Sequence, residues 1–136
     1  MLTLAALLGA PSGAAGQEIP DSAIVTVIAQ GLQTVRALAE APDGCLSVTE
    51  HGGLVRTIVE GELAHEPWPE LAVHEVLGDE AGLMGVAIDP DFASNGFVYL
   101  CYSMETAPRT VVNRVVRMRG SSGVGVEETV LLDSMP

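Results

Sequence analysis

The chain has 136 residues, the length of one domain. It is 48% hydrophobic but only 4% aromatic, and its 15 glycines and eight prolines favour turns over long helices. The formal net charge is −12, with no lysine, so the surface repels nucleic acid and anionic lipid at long range and both are excluded as partners. The imbalance is local: acids crowd Glu40 to Asp91, where Arg56 is the only base, and their plain role is to keep that surface soluble.

The first residues, MLTLAALLGAPSGAAGQE, hold an apolar run from Leu2 to Ala10 that is too short to span a bilayer as a helix. Small residues follow from Ser12 to Gly16. This is the pattern of the apolar and cleavage regions of a secretory signal, so residues 1–16 are expected to be a signal-peptide remnant, cleaved near Ala15 or Gly16. The basic leader is missing, because no Lys or Arg precedes Arg36. A recorded start inside the true signal accounts for that, and an Ala-rich disordered terminus is the alternative. The first reading places the protein in the periplasm or outside the cell.

Strands and turns are expected over residues 17–136. Ala23 to Ala29 is short and β-branched, and Val35 to Ala41 is a weaker strand. Pro42-Asp43-Gly44 is a turn, since Pro fixes φ and Gly supplies a positive one. Cys45 to Thr49 and Leu54 to Val59 are strands around the turn His51-Gly52-Gly53, and Glu60-Gly61-Glu62 turns the chain again. Ala64 to Leu77 is either one helical turn or an extended loop. Leu83 to Ile88 and Phe97 to Tyr102 are apolar on both faces, as strands between two packed sheets are, with Asp89 to Gly96 as the loop between them. Val111 to Met118 is a strand with its arginines toward an edge or solvent, Gly120 to Gly125 a flexible loop, and Thr129 to Asp133 a last strand.

Two similar units emerge, each a strand, a Pro-Asp turn, a strand, a Gly turn and a strand, spaced about 40–50 residues apart, the size of a propeller blade. A closed propeller needs at least about four blades. The expectation is therefore an all-β chain of antiparallel meander sheets, about the first two blades of a partial β-propeller within a longer protein.

Other motifs carry little chemistry. Cys45 and Cys101 read as buried small residues in strands, with one disulfide between them as the alternative. His65-Glu66 and His74-Glu75 do not make a metal-binding H-E-x-x-H. Asp89, Asp91, Asn95 and Gly96 miss the offsets of a calcium loop and read as a turn. Trp68, between Pro67 and Pro69, either lines a ligand groove or anchors a loop, and the anchor is the plainer reading. GSSGVG lacks the phosphate-loop lysine, and no G-x-S-x-G is present.

The stretches GLQTVRALAEAPDGCLSVTEHGGLVRTI, GDEAGLMGVAIDPDFASNGFVYLCYS, NRVVRMR and ETVLLDSMP, taken in order, resemble the opening blades of the glucose/sorbosone dehydrogenase family. The resemblance runs from Gly31 to Pro136. It is most specific in the acid followed by Gly-Leu-Met-Gly, Asp-Pro-Asp-Phe and Asn-Gly. It implies an exported, soluble, six-bladed propeller whose best-known relatives use pyrroloquinoline quinone (PQQ), with calcium. It further implies that Asp79 and Glu80 lie at the mouth of the central funnel, with Glu80 facing cofactor and sugar where glucose-oxidising members carry a glutamine. An ionised carboxylate accepts hydrogen bonds but donates none, so an aldose or polyol substrate fits while specificity for glucose is open. The alternative for Glu80 is a tether to the loop. The resemblance places the catalytic histidine and the calcium and quinone ligands beyond Pro136, so no catalytic residue is expected in this chain, and His51 is read as a turn residue. The expected function is that of the N-terminal part of an exported PQQ-dependent oxidoreductase, inactive on its own, with an unspecified electron acceptor. The alternatives are a non-catalytic propeller that binds protein or carbohydrate, and an inactive truncated product.

Overall fold

The turns set out above decide the architecture. Seen in a computed structural model that describes residues 3–5, 23–68, 70–76, 80–121 and 124–135, Gly44 sits at φ +84° and the Asp43 carboxylate accepts from the Cys45 N–H at 3.0 Å. This reverses the chain between β3 (Val35–Glu40) and β4 (Leu46–Glu50). β5 (Val55–Val59) returns beside β4. Glu60 and Gly61 then both take positive φ, as a type I′ hairpin turn requires, and lead into β6 (Glu62–Leu63). Glu62, expected in the turn, instead pairs with Val59. The first sheet is thus a four-stranded antiparallel meander, β3-β4-β5-β6.

The second sheet repeats the plan with longer strands. β7 (Leu83–Ile88) is followed by the single turn α1 (Phe92–Asn95), then β8 (Phe97–Ala107), β9 (Thr110–Ser121) and β10 (Val124–Met135), in the order β10-β9-β8-β7. The expected loop from Gly120 to Gly125 is mostly strand: Ser121 pairs with Val124 and Gly120 with Gly125. Ladder pairing carries β8 and β9 past the apolar residues that announced them, through exposed positions such as Glu105 and Thr110 where periodicity gives no signal, and β10 begins at Val124, ahead of its expected start.

Near the N-terminus, β1 (Thr3–Ala5) pairs in parallel with β2 (Ile24–Thr26). The rest of the proposed signal segment, with its cleavage region, lies outside the described residues. β2 is three residues long rather than seven, because the chain beyond it turns inward and lays Ala29 and Leu32 on Val48 and Ile58 of the first sheet.

The main core lies between the sheets. Val55, Leu83, Val98, Leu100, Tyr102, Val116 and Met118 form it with Trp68 and Leu71. The segment that supplies Trp68 and Leu71 holds no helix or strand in its described residues and is laced to both sheets: Trp68 N–H donates to Val55 O (3.0 Å), Leu71 N–H to Gly53 O (3.1 Å) and His74 N–H to Ser103 O (2.7 Å). Trp68 is the loop anchor. Its indole lies against Gly120 and Gly125, and a Cβ on Gly125 would overlap the ring.

Burial on both faces is realised on one. Val98, Leu100 and Tyr102 are buried, whereas Phe97, Tyr99 and Cys101 on the opposite face are half-buried. Val126, Val130, Leu131 and Leu132 of β10 are exposed. The reading of the cysteines is corrected too. Both are free and half-buried, Cys45 precedes β4 rather than lying in it, and burial pushes both thiols up from their ordinary pKa.

Candidate functional site

The first strands of the two sheets, β3 and β7, lie next to each other and start at the same end of the assembly. Arg36 stands at the start of β3, and Glu80 three residues before β7. Arg36 Nη2 donates to the Glu80 carboxylate at 2.7 Å and to the Glu80 main-chain carbonyl at 3.2 Å. The arginine side chain is largely covered, 23% exposed, whereas that of Glu80 is 94% exposed. A mostly buried cation therefore holds an outward-facing carboxylate at the junction of the two sheets. Asp79 lies outside the described residues.

His51 braces the same junction. It occupies the turn after β4, as expected, but its side chain is buried there. Its Nε2 donates to the Ala81 carbonyl, and its Nδ1 lies 3.2 Å from the Glu75 carboxylate. Its own main chain donates to Thr34 O (3.0 Å) and accepts from Leu83 N–H (2.9 Å). This approach demands a glycine next to Ala81. Gly82 has φ +128°, and a Cβ there would stand 2.5 Å from His51 Cδ2 and 2.7 Å from His51 O. The backbone of Glu80 is thus fixed on both sides, by Arg36 on β3 and, through Ala81, by His51.

The remaining candidates are placed elsewhere. The Asp89 carboxylate accepts from Asp91 N–H and Asn95 Nδ2, each at 2.9 Å, and from the Tyr99 hydroxyl. This knits the loop ahead of α1. Those bonds, Tyr99's first, hold its carboxyl below the usual range. Arg117 lies over the Phe97 ring, 4.1 Å from its centroid, rather than simply facing solvent. Arg114 grips Asp133 with two bonds of 3.1 and 2.7 Å. His65 pairs with its neighbour Glu66 at the surface, and His74 lies 4.0 Å from Glu105. Among the described residues no group of three or more His, Cys, Asp or Glu side chains is placed to hold a metal ion. Sequence reasoning missed Arg36 and Glu75 as partners. The one available signal was that Arg36 is the sole base ahead of the acidic stretch.

Two four-stranded antiparallel meanders packed through a shared core, with their first strands adjacent, are neighbouring blades of a β-propeller. The sequence profile of the Glucose / Sorbosone dehydrogenase family matches residues 32–136, and the chain belongs to that family. Among solved structures it is similar to a putative oxidoreductase from Thermus thermophilus described as a glucose dehydrogenase. The TM-score is 0.69 at 35% identity, over 80% of this chain and 32% of that one. It is also similar to the PQQ-bound aldose sugar dehydrogenase of Streptomyces coelicolor, with TM-score 0.69 at 25% identity, over 80% of this chain and 33% of that one. An uncharacterized protein of Synechocystis is 33% identical over 106 residues, 71% of this chain and 26% of that protein. The chain thus spans about a third or less of its relatives' length. Among the described residues no helix is long and apolar enough to cross a membrane.

Proposed function

We propose that this chain is the N-terminal part, residues 17–136 following a signal remnant, of an exported PQQ-dependent dehydrogenase that oxidises an aldose or polyol. The observation that carries the reading is the Arg36–Glu80 junction: an exposed carboxylate fixed between the first strands of two blades, in a chain whose fold and family are those of sugar dehydrogenases. Glu80, with Asp79 beside it in sequence, faces the funnel and accepts hydrogen bonds from substrate hydroxyls.

PQQ is a tricarboxylate and calls for several cations. Beside Glu80 the described residues offer Arg36, which is already paired. The described residues therefore do not build the quinone site by themselves. Its cations, the calcium ligands and the catalytic histidine belong to the remainder of the protein. PQQ would supply the hydride acceptor, and this chain's part would be to position the sugar.

The test is sugar-dependent dye reduction by the full-length protein, purified and supplied with PQQ and calcium. The expected result is saturable activity with an aldose or polyol that disappears when PQQ is omitted. A protein that binds PQQ yet reduces no dye across a panel of aldoses and polyols contradicts the reading and favours a binding-only propeller.

A further inference from the structure

We propose that β2 is the strand on which the full-length protein closes into a ring: once residues 1–16 are removed, it pairs with the last blade and completes that blade's sheet. The inference rests on the reading of this chain as the N-terminal part of a longer propeller that follows a signal remnant, and not on its substrate or cofactor.

β2 is a strand without a blade. Each meander is complete with four strands, and β2 belongs to neither. Among the described residues its one strand partner is β1, in a parallel pairing that runs from Thr3 with Ile24 to Ala5 with Thr26. β1 falls within the segment read as the signal remnant, so removal of that segment leaves both edges of β2 open. A three-residue strand does not stand alone in water, and open edges rich in β-branched residues invite aggregation. Ile24, Val25 and Val27 are also 63%, 39% and 45% exposed. This strand calls for a sheet to join.

Its position identifies that sheet. One face of the first sheet packs on the second through Val55. On the opposite face Ala29 and Leu32 lie on Val48 and Ile58, while Leu38, paired with Val48 in the ladder, stays 44% exposed. The segment leaving β2 runs along the perimeter, since Val27 to Gln30 share a cavity with Gly61, Glu62 and Leu63 at β6, the strand farthest from β3. Val27 to Thr34 then returns the chain to β3. Those residues reach about 26–29 Å when extended, and a four-stranded sheet is about 14 Å across. β2 therefore stands at the perimeter beside the uncovered face of the first sheet, where the outermost strand of the adjoining blade belongs. In a ring, the blade adjoining that face is the last one. This chain spans about a third of its solved relatives, so that blade comes from the rest of the protein. It then needs three strands of its own, and the hydrogen bonds to β2 tie the two ends of the ring together.

The experiment uses full-length protein that begins at Gln17, verified by mass spectrometry. Amide exchange is followed over β2 and over the last blade. The amides of Ile24 to Val27 are expected to exchange at least about a hundredfold slower than an unpaired segment, at every protein concentration. Alternate N–H groups face opposite edges of a strand, so Val25→Pro and Thr26→Pro are combined. That variant, and deletion of residues 17–27, should speed exchange in the last blade by a similar factor, lower the melting temperature and leave the middle of β8 and β9 protected. A synthetic peptide of residues 20–30 should reverse the effects of the deletion. Free exchange over β2 in the unaltered protein, or a proline variant whose last blade exchanges as before, overturns the closure. Protection that appears only where the protein dimerises assigns β2 to a second copy and overturns it as well. A full-length protein with the expected protection that oxidises no sugar or polyol overturns the functional reading and leaves the closure standing.

Discussion

Replacing Gly82 with alanine puts the tightest point of the blade junction under load. The backbone there has φ +128°, a region that costs a residue with a side chain about 1–3 kcal/mol. The new Cβ would also stand 2.5 Å from His51 Cδ2 and 2.7 Å from His51 O. Overpacking of this kind costs about 1–3 kcal/mol. The ring has no room to swing away while it is bonded to Ala81, and the carbonyl cannot retreat without releasing Leu83 N–H. The two costs sum to about 2–6 kcal/mol, and a value near 3 kcal/mol is roughly a hundredfold shift in a local opening equilibrium. Amide hydrogen exchange reads this directly. The Leu83 N–H, bonded to His51 O, and the Ser103 N–H, bonded to Gly82 O, should exchange roughly a hundredfold faster in Gly82→Ala. The Leu100 and Val116 pair in the middle of the second sheet should change far less. Adding His51→Ala should restore part of the protection, since it removes the ring but not the carbonyl or the unfavourable φ. Wild-type exchange at Leu83 and Ser103 in Gly82→Ala would refute the claim that this contact holds the blades together.

The Trp68 anchor makes a paired prediction. Trp68→Ala should destabilise the protein by about 3–5 kcal/mol, and Gly125→Ala by about 1–3 kcal/mol, in urea unfolding. The Gly125→Ala penalty should vanish in the Trp68→Ala background, and a penalty that survives there places the clash elsewhere. Asp89 gives the acid-side prediction. Its carboxyl is held low in the folded protein, so its contribution is present above the ordinary carboxylate range and is lost as pH falls through the lowered value. Tyr99→Phe removes the foremost cause, so the Asp89 carboxyl should titrate at higher pH by NMR and add less to the difference in stability between neutral and acid. An unmoved titration refutes the role of that bond. Residues 1–136 alone, given PQQ, calcium and sugar, should reduce no dye, and measurable turnover would place the chemistry within this chain.

The strands that the sequence announces most clearly are those whose punctuation has a backbone cause. Pro42-Asp43-Gly44 and Glu60-Gly61 need their positive φ values, and the residues around them fall into a meander as expected. The family resemblance is borne out over nearly its full extent. What stayed hidden has two sources. Exposed strand ends such as the far part of β8 carry no apolar alternation, so backbone pairing extends them unannounced. The site is built from contacts between blades. Arg36 meets Glu80 across 44 residues and His51 meets Ala81 across 30, and no local pattern encodes either. Gly82 marked the spot, but its reason is the His51 ring that fills the place of its Cβ. His51 itself looked like a turn residue because it is one, and its burial could not be read from the glycines that follow it.

The most direct test of the central claim is a crystal structure of the full-length protein with PQQ and an aldose bound. The account predicts that β3 and β7 line a central funnel, with the Glu80 carboxylate within hydrogen-bonding distance of the sugar or the quinone and Arg36 still paired to it. A structure in which Glu80 and Arg36 lie on the outer rim, away from both ligands, would contradict it.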